Sequence, residues 1–240
     1  MKQFPFFISA VLALCLASCK EQAPEQPKVT YDAKTSKITT KIDSSQIAVA
    51  DLPIQMQGTQ YLIHPVGDLS VYERGVKARY GSSSVNDLSF TISNLGEYEI
   101  TGYLQNLKFQ RIDSDSIRPL TDKPALILTA TYLKPIADKT NNQIMVYTMI
   151  DTDTNQDGKI DTGDIKALYL SYMGGDNFTK KSADFQELID WNLVEFKNRL
   201  YFRTIEDTNK NGQFDKNDVL HYNYIELNST KWEVKNYQPI

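Results

Sequence analysis

Two acidic loops with matching residues stand in the second half of the chain. The first reads DTNQDGKIDTGD, from Asp153 to Asp164, and the second reads DTNKNGQFDKND, from Asp207 to Asp218. Runs rich in β-branched and aromatic residues flank both loops, for example QIMVYTMI and RLYFRTI before them. Such runs are typical of strands. Each loop is therefore predicted to lie in a unit of strand, acidic loop, strand, turn and strand, and a period of about fifty residues indicates stacked β units.

The rest of the chain also has the pattern of short strands. Residues 88–122 have the outline of a third unit without an acidic loop, and only residues 182–191 are compatible with a short helix. The runs LKFQRIDSDSIRPLTD and LYLSYMGGDNFTKK resemble the outer strands of blades in Tol-system-type propellers. The predicted fold is an all-β, antiparallel repeat domain with propeller-like blades, and the alternative is a β-sandwich with two similar hairpins.

The N-terminus is predicted to be an export signal. Residues 1–18 combine a basic start, an apolar middle and small residues at the end, as a signal peptide does. The sequence from Leu16 to Cys19 resembles the lipobox of bacterial lipoproteins, and that resemblance implies that Cys19 is the lipid attachment point. Residues 19–35 are predicted to be a flexible tether. The protein is expected in the outer membrane, on the periplasmic or the cell-surface face, with a single β-rich domain over residues 36–240.

Cysteine content and charge restrict how the domain can be stabilised and which partners it can bind. Both cysteines, Cys15 and Cys19, lie in the N-terminal segment, so the exported domain is expected to have no thiol and no disulfide. Its stability must then come from its core, from a metal, or from both. The formal net charge of −4 gives no basic surface for nucleic acid. Nucleic acid is therefore not an expected partner.

The spacing of oxygen-bearing residues in each loop suits calcium. Ca²⁺ takes six to eight oxygen ligands, and side chains at positions 1, 3 and 5 of a tight turn converge on one point, while position 7 adds its backbone carbonyl. The loops resemble the EF-hand loop, in particular its dockerin variant with Asp at position 12, and also the strand-flanked calcium hairpins of integrin-type propeller blades. The candidate ligands at positions 1, 3, 5, 7, 9 and 12 are Asp153, Asn155, Asp157, Lys159, Asp161 and Asp164 in loop 1, and Asp207, Asn209, Asn211, Gln213, Asp215 and Asp218 in loop 2.

Two alternatives remain within this interpretation. Position 9 is a direct ligand in the propeller-type hairpin, which would leave position 12 outside the first coordination shell. Each loop could also be a solvated hairpin turn, because Asp, Asn and Gly are the residues that turns favour. If both loops bind calcium, loop 1 is expected to bind more tightly, because Asp157 at position 5 gives it one more carboxylate than loop 2.

The sequence predicts a binding protein rather than an enzyme. Neither His64 nor His221 belongs to a recognisable catalytic motif, and both fall within strand-like runs. No catalytic residue is predicted. The expected function is a membrane-anchored, exported domain with two structural calcium ions that presents a protein- or glycan-binding surface. The alternatives are a glycan-degrading enzyme and an accessory subunit of an outer-membrane uptake complex.

Overall fold

Antiparallel strands make up most of the described chain. The computed structural model describes residues 26–31, 46–70, 91–229 and 231–240. Every strand pair in this part is antiparallel, which confirms the all-β prediction. The elements are β1 (Gln46–Ala50), β2 (Ile54–Gln55), β3 (Tyr61–Ser70), β4 (Ser93–Leu95), β5 (Glu99–Arg111), β6 (Ile117–Pro119), β7 (Leu126–Tyr132), α1 (Lys134–Thr140), β8 (Ile144–Ile150), β9 (Ala167–Tyr172), β10 (Thr179–Lys180), β11 (Gln186–Val194), a 3₁₀-helix (Glu195–Lys197), β12 (Arg199–Glu206), β13 (Val219–Glu226) and β14 (Val234–Asn236).

The strands form a ten-stranded sheet and a four-stranded sheet. The main path of the first sheet is β1-β3-β5-β7-β8-β9-β10, and β2, β4 and β6 pair with it at the side. Its longest strand, β5, has 13 residues and pairs with β4 and β7 through its first half and with β3 and β6 through its second half. The second sheet has the order β11-β12-β13-β14.

Each of the two predicted repeat units has the expected order of elements. Strands β8, β9 and β10 are consecutive neighbours in the first sheet, and β12, β13 and β14 are consecutive neighbours in the second. The acidic loops join β8 to β9 and β12 to β13. The three predicted units do not form three separate blades in the described part. Strands β8, β9 and β10, which belong to the unit with loop 1, lie in the same ten-stranded sheet as β4, β5 and β6, which belong to the unit predicted at residues 88–122.

Strand β8 lies between two hydrophobic cores because both of its faces are buried. Successive side chains of a strand point to opposite faces. Met145 and Tyr147 pack into the first core, whereas Ile144 and Val146 pack into the second. The hydroxyl of the fully buried Tyr147 lies 2.8 Å from the Ser171 hydroxyl, so its polar atom has a partner. A strand buried on both faces can carry a continuous apolar run, which the sequence IMVYTMI shows.

The second core joins the two sheets face to face. Leu168 and Leu170 of β9 pack there with Leu200 and Phe202 of β12, and each of these side chains is 2% exposed or less. Burying a side chain of this size stabilises the fold by about 1.5–3 kcal/mol. This contact fixes the strands that carry loop 1 against the strands that carry loop 2.

The first core lies within the ten-stranded sheet, which coils so that distant strands meet. The turn after β9 reaches β3, where a Cβ on Gly174 would lie 2.6 Å from the ring of Tyr61. The same turn is tied to β6, because the Arg118 guanidinium binds the Asp176 carboxylate with a nitrogen–oxygen distance of 2.6 Å. A side chain at position 174 would require the Tyr61 ring to move.

Residues 182–191, the segment compatible with a short helix, do not form one. Residues from Gln186 onward belong to β11, which pairs with β12 along its whole length. Leu188 faces the second core, and its backbone N–H donates to the Lys166 carbonyl 3.0 Å away. The described α-helix, α1, lies instead between β7 and β8, with Pro135 in its first turn and Asn141 closing it at a φ of 60°.

Candidate metal centre

In loop 1 the side chains at positions 1, 3 and 5 turn inward and hold a tight turn. The two carboxylate oxygens of Asp153 accept N–H groups from Asp157, at 3.2 Å, and from Gly158, at 2.9 Å. The Asn155 side-chain oxygen accepts the Asp157 N–H at 2.9 Å, and the Asp157 carboxylate accepts the Lys159 N–H at 2.8 Å. Three oxygen-bearing side chains are thus gathered inside one turn.

Loop 2 repeats the same hydrogen bonds at the same positions. Asp207 accepts N–H groups from Asn211, at 3.2 Å, and Gly212, at 2.6 Å. Asn209 accepts the Asn211 N–H at 2.9 Å, and Asn211 accepts the Gln213 N–H at 2.8 Å. The two loops therefore share one conformation although Asp is replaced by Asn at position 5.

Backbone dihedral angles agree with this match. Positions 4 and 6 have positive φ in both loops, with values of 61° and 89° at Gln156 and Gly158 and of 56° and 80° at Lys210 and Gly212. Residues with side chains seldom adopt a positive φ, and glycine does so at little cost. Glycine at position 6 therefore has a conformational role in each loop.

Position 12 ties the two ends of each loop together. The Asp164 carboxylate accepts N–H groups from Thr154, at 2.6 Å, and from Asp161, at 3.1 Å, and Asp164 is 0% exposed. Asp218 accepts the corresponding N–H groups in loop 2, from Thr208 at 3.2 Å and from Asp215 at 2.8 Å. Burial raises the pKa of Asp164, and its backbone N–H donors act in the opposite direction. Position 12 thus supports the loop from inside.

The carboxylate at position 9 accepts fewer hydrogen bonds than the carboxylate at position 12. The Asp161 carboxylate accepts the Gly163 N–H at 2.8 Å, and Asp215 accepts the Asn217 N–H at 2.7 Å. In each case the N–H contacts one carboxylate oxygen, Oδ1, and the other oxygen has no hydrogen bond to the described residues. This arrangement favours position 9 over position 12 as a candidate ligand.

The atoms that the loops bring together suit a hard cation. A carboxylate or amide oxygen has two lone pairs, so an oxygen that accepts one N–H can still coordinate a metal. Among the described residues, no group of three or more His, Cys, Asp and Glu side chains is placed to hold a metal ion. Binding at either loop would therefore use a mixed set, in which Asn side chains and the backbone carbonyl of position 7 join the carboxylates. Such all-oxygen sets are typical of Ca²⁺.

A short N-terminal segment, residues 28–31, lies between the two loops, and we call it the clasp. Its backbone N–H groups donate to both loops: Lys28 to Gly163, at 3.0 Å, and Thr30 to Thr154, at 2.7 Å, in loop 1, and Val29 to Gly212, at 3.2 Å, in loop 2. Val29 is only 3% exposed. The clasp connects two loops that belong to different sheets.

Side chains strengthen the contact of the clasp with both loops. The Thr30 hydroxyl donates to the Asn155 carbonyl at 3.0 Å, and the Gln156 amide donates to the Thr30 carbonyl at 2.9 Å. The Tyr31 hydroxyl donates to the Asp207 carbonyl at 3.4 Å. Burial and the nearby Asp207 carboxylate raise the pKa of Tyr31 to about 12.

The clasp lies within residues 19–35, the segment predicted to be a flexible tether, and its four residues are bonded to the folded domain. The run Val-Thr-Tyr at residues 29–31, rich in β-branched and aromatic residues, was the available signal. A contact with loops more than a hundred residues away has no local signature.

The remaining predicted residues lie elsewhere or outside the described part. Cys19 and the signal peptide of residues 1–18 fall outside the described residues. No helix in the described ranges is both long and apolar enough to cross a membrane. Both histidines lie on strands, with His64 Nε2 3.2 Å from the Gln110 side-chain oxygen and His221 Nε2 2.8 Å from the Glu206 carboxylate.

Comparisons with known proteins give no relative for this chain. No protein-family model matches the sequence. Neither a curated protein nor a solved structure matches it. A functional interpretation therefore depends on the chemistry of the two loops, the clasp that connects them and the surfaces of the domain.

Proposed function

We propose that this protein is an exported, lipid-anchored β-domain that binds two structural calcium ions and presents a protein- or glycan-binding surface without catalysing a reaction. One observation carries the proposal: the two acidic loops have the same side-chain-to-backbone hydrogen bonds at the same positions. A simple hairpin turn needs fewer inward-facing oxygens than these loops provide. Two loops that retain such a set at equivalent places in a repeat are best explained by a shared ligand.

The residues that would hold each ion follow from their arrangement. In loop 1 these are the side chains of Asp153, Asn155, Asp157 and Asp161 and the carbonyl of Lys159, and in loop 2 the residues at the same positions. Asp164 and Asp218 would orient the loop backbone. A bound calcium ion would neutralise carboxylates that repel one another when they are brought together. Metal would then favour the folded state over the unfolded chain, in which these charges are spread apart.

The clasp gives this stabilisation a role in the anchored protein. Residues 28–31 are held by loop 1 and loop 2 together, and the proposed lipid attachment at Cys19 lies nine residues before Lys28. Calcium at the loops would make the clasp a firm point from which the remaining tether leads to the outer membrane. The partner-binding surface would then be held near the membrane, on its periplasmic or outer face.

Thermal unfolding in chelator and in millimolar calcium tests the proposal. Extracellular calcium modules often bind at about 10⁻⁴–10⁻³ M, so about 1 mM Ca²⁺ is expected to stabilise the domain by about 0.5–1.5 kcal/mol per site. For a domain of this size, that corresponds to a rise of about 1–6 °C per site in Tm. Asp153→Ala combined with Asp207→Ala should abolish the rise, and Asp122→Ala, at an exposed aspartate outside the loops, should leave it unchanged. An absence of any calcium-dependent rise in the wild-type protein would identify both loops as ordinary turns.

A further inference from the structure

A cleft on the side of the ten-stranded sheet has the features of a ligand site. Its volume is about 440 Å³, which falls within the range of small-molecule sites in proteins. Three segments form it: the turn between β2 and β3, the chain that leaves α1, and the turn after β9. None of the acidic loop residues lines it.

One residue, Gln143, connects the three walls of the cleft. Its side-chain amide donates to the Gly58 carbonyl at 3.0 Å, which joins the chain after α1 to the turn before β3. Its own carbonyl accepts the Met173 N–H at 2.8 Å, which joins the same chain to the turn after β9. The cleft is therefore formed before any ligand arrives, and preorganisation lowers the entropic cost of binding.

The cleft carries hydrogen-bonding groups that the protein does not use. Gln60, Asn141 and Asn142 line it, and their side-chain amides have no hydrogen-bond partner among the described residues. An amide offers one acceptor oxygen and two N–H donors side by side. Neighbouring hydroxyl groups of a sugar ring present the complementary arrangement, because each hydroxyl can donate and accept.

Charge in the cleft is already balanced. Asp176 is the one carboxylate among its lining residues, and both of its oxygens bind Arg118, at 2.7 Å and 2.6 Å. The Arg118 guanidinium lowers the pKa of Asp176, so this carboxylate stays ionised and paired. An anion would find no unpaired cation there, and a metal ion would find one occupied carboxylate. A neutral ligand fits this balance.

Two tyrosines and one methionine are also among the lining residues. Tyr61 and Tyr172 are half-buried, and Met173 is 1% exposed. The Tyr172 ring packs against Trp232 of the second core, with ring centroids 4.8 Å apart, so this wall of the cleft is fixed to the core. A peptide partner would instead need a pocket that encloses an apolar side chain, and the amide-rich rim does not provide one.

We propose that this cleft binds a neutral saccharide, as a segment of a glycan chain. The inference rests on the proposed function, because it gives the partner-binding surface a location and a ligand class. The amides of Gln60, Asn141 and Asn142 bind ring hydroxyls of the sugar. Asp176 and Arg118 keep the cleft neutral and its shape fixed.

Titration of the calcium-loaded protein with neutral oligosaccharides tests this site. The probes are hexasaccharides of glucose, xylose, mannose and N-acetylglucosamine, observed by isothermal calorimetry and by the side-chain NH₂ signals of Gln60, Asn141 and Asn142 in NMR spectra. We expect at least one probe to bind and to shift these signals. Gln60→Ala and Asn142→Ala should each weaken its binding by about three- to tenfold. Asn192→Ala, at an exposed asparagine of β11 outside the cleft, should have no effect.

Three results would overturn the inference: no binding by any probe, binding that the double variant Gln60→Ala/Asn142→Ala leaves unchanged, or binding of a tryptic peptide mixture in the cleft that no saccharide displaces.

Thermal unfolding of the same samples separates this inference from the calcium proposal. A calcium-dependent rise in Tm without saccharide binding removes the saccharide site alone. Saccharide binding without a calcium-dependent rise removes the calcium proposal alone.

Discussion

The backbone N–H of Val29 donates to the carbonyl of Gly212 across 3.2 Å, and this bond joins the N-terminal segment to the middle of loop 2. The Val29 carbonyl lies so close to Gly212 that a Cβ at that position would meet it at 2.6 Å. Gly158 occupies the same position in loop 1, but a Cβ there would have no neighbour within 4 Å. The two equivalent glycines therefore differ in one respect, which is contact with the clasp.

Alanine substitutions at these two glycines should differ in their cost. Both positions have a positive φ, so Gly158→Ala and Gly212→Ala should each lose about 1–2 kcal/mol of unfolding free energy for that reason. Gly212→Ala should lose about 1–3 kcal/mol more, because the new methyl group overlaps Val29. Urea unfolding in the presence of a chelator measures both values without a contribution from metal.

Hydrogen exchange supplies the second measurement for this pair. In Gly212→Ala the amides of Val29 and Thr30 should exchange faster than in the wild-type protein, since the clasp is displaced. In Gly158→Ala they should keep their protection. Equal losses of stability and equal protection in the two variants would show that the contact between Val29 and Gly212 adds nothing to the fold.

The local pattern of the sequence was sufficient for the strands that flank the two loops. The runs QIMVYTMI and RLYFRTI became β8 and β12, because β-branched and aromatic residues pack well on a buried sheet surface. The Asp and Asn side chains in the loops accept nearby backbone N–H groups, as these residues commonly do in turns. Both features depend on contacts between residues that are close in sequence.

Features that depend on distant contacts were not predictable. Residues 182–191 mix apolar and polar residues in a way that a short helix and a strand both allow, and pairing with β12 decided the outcome. The division of the strands into two sheets depends on which faces meet in the second core. In the same way, the clasp exists because the cores place loop 1 and loop 2 on either side of residues 28–31.

Glu187 should make the stability of the domain depend on pH. It is 7% exposed, and its carboxylate binds the Lys166 ammonium at 2.9 Å and the Lys166 N–H at 2.6 Å. Burial raises its pKa above the usual 4.5 of a glutamate, although both contacts with Lys166 act in the opposite direction. The folded protein therefore holds this proton more tightly than the unfolded chain does.

The sign of the effect follows from linkage. Between pH 4.5 and the folded-state pKa of Glu187, unfolding releases a proton, so the unfolding free energy should fall as the pH rises. The fall is about 1.4 kcal/mol for each unit that separates the two pKa values. Urea unfolding at a series of pH values should show this slope in the wild-type protein and a shallower one in Glu187→Gln. Glu233→Gln, at an exposed glutamate, should keep the wild-type slope, and an unchanged slope in Glu187→Gln would contradict the prediction.

Cys19 should be the only attachment of the protein to the membrane. This prediction follows from the lipobox-like sequence at residues 16–19 and the lack of a later apolar run of about twenty residues. Cys19→Ala should abolish labelling of the protein by a clickable fatty acid, whereas Cys15→Ala, within the signal peptide, should not. Labelling that persists in Cys19→Ala would show that the lipid is attached elsewhere or that the protein is not a lipoprotein.

Exchanging the residues at position 5 should reverse the calcium affinities of the two loops. Asp157 and Asn211 accept the equivalent N–H group at the same distance, 2.8 Å, from Lys159 and Gln213. Because Asp and Asn have the same shape and both can accept this bond, the exchange changes charge and leaves the turn intact. Asp157→Asn should weaken calcium binding at loop 1 by roughly tenfold in Kd, about 1.4 kcal/mol, and Asn211→Asp should strengthen calcium binding at loop 2 by a similar factor.

Isothermal calorimetry with Ca²⁺ measures each site alone when the other loop is inactivated, by Asp207→Ala for measurements on loop 1 and by Asp153→Ala for measurements on loop 2. If Asp157→Asn leaves the affinity of loop 1 unchanged, position 5 is not a calcium ligand, and the predicted ranking of the loops loses its physical basis.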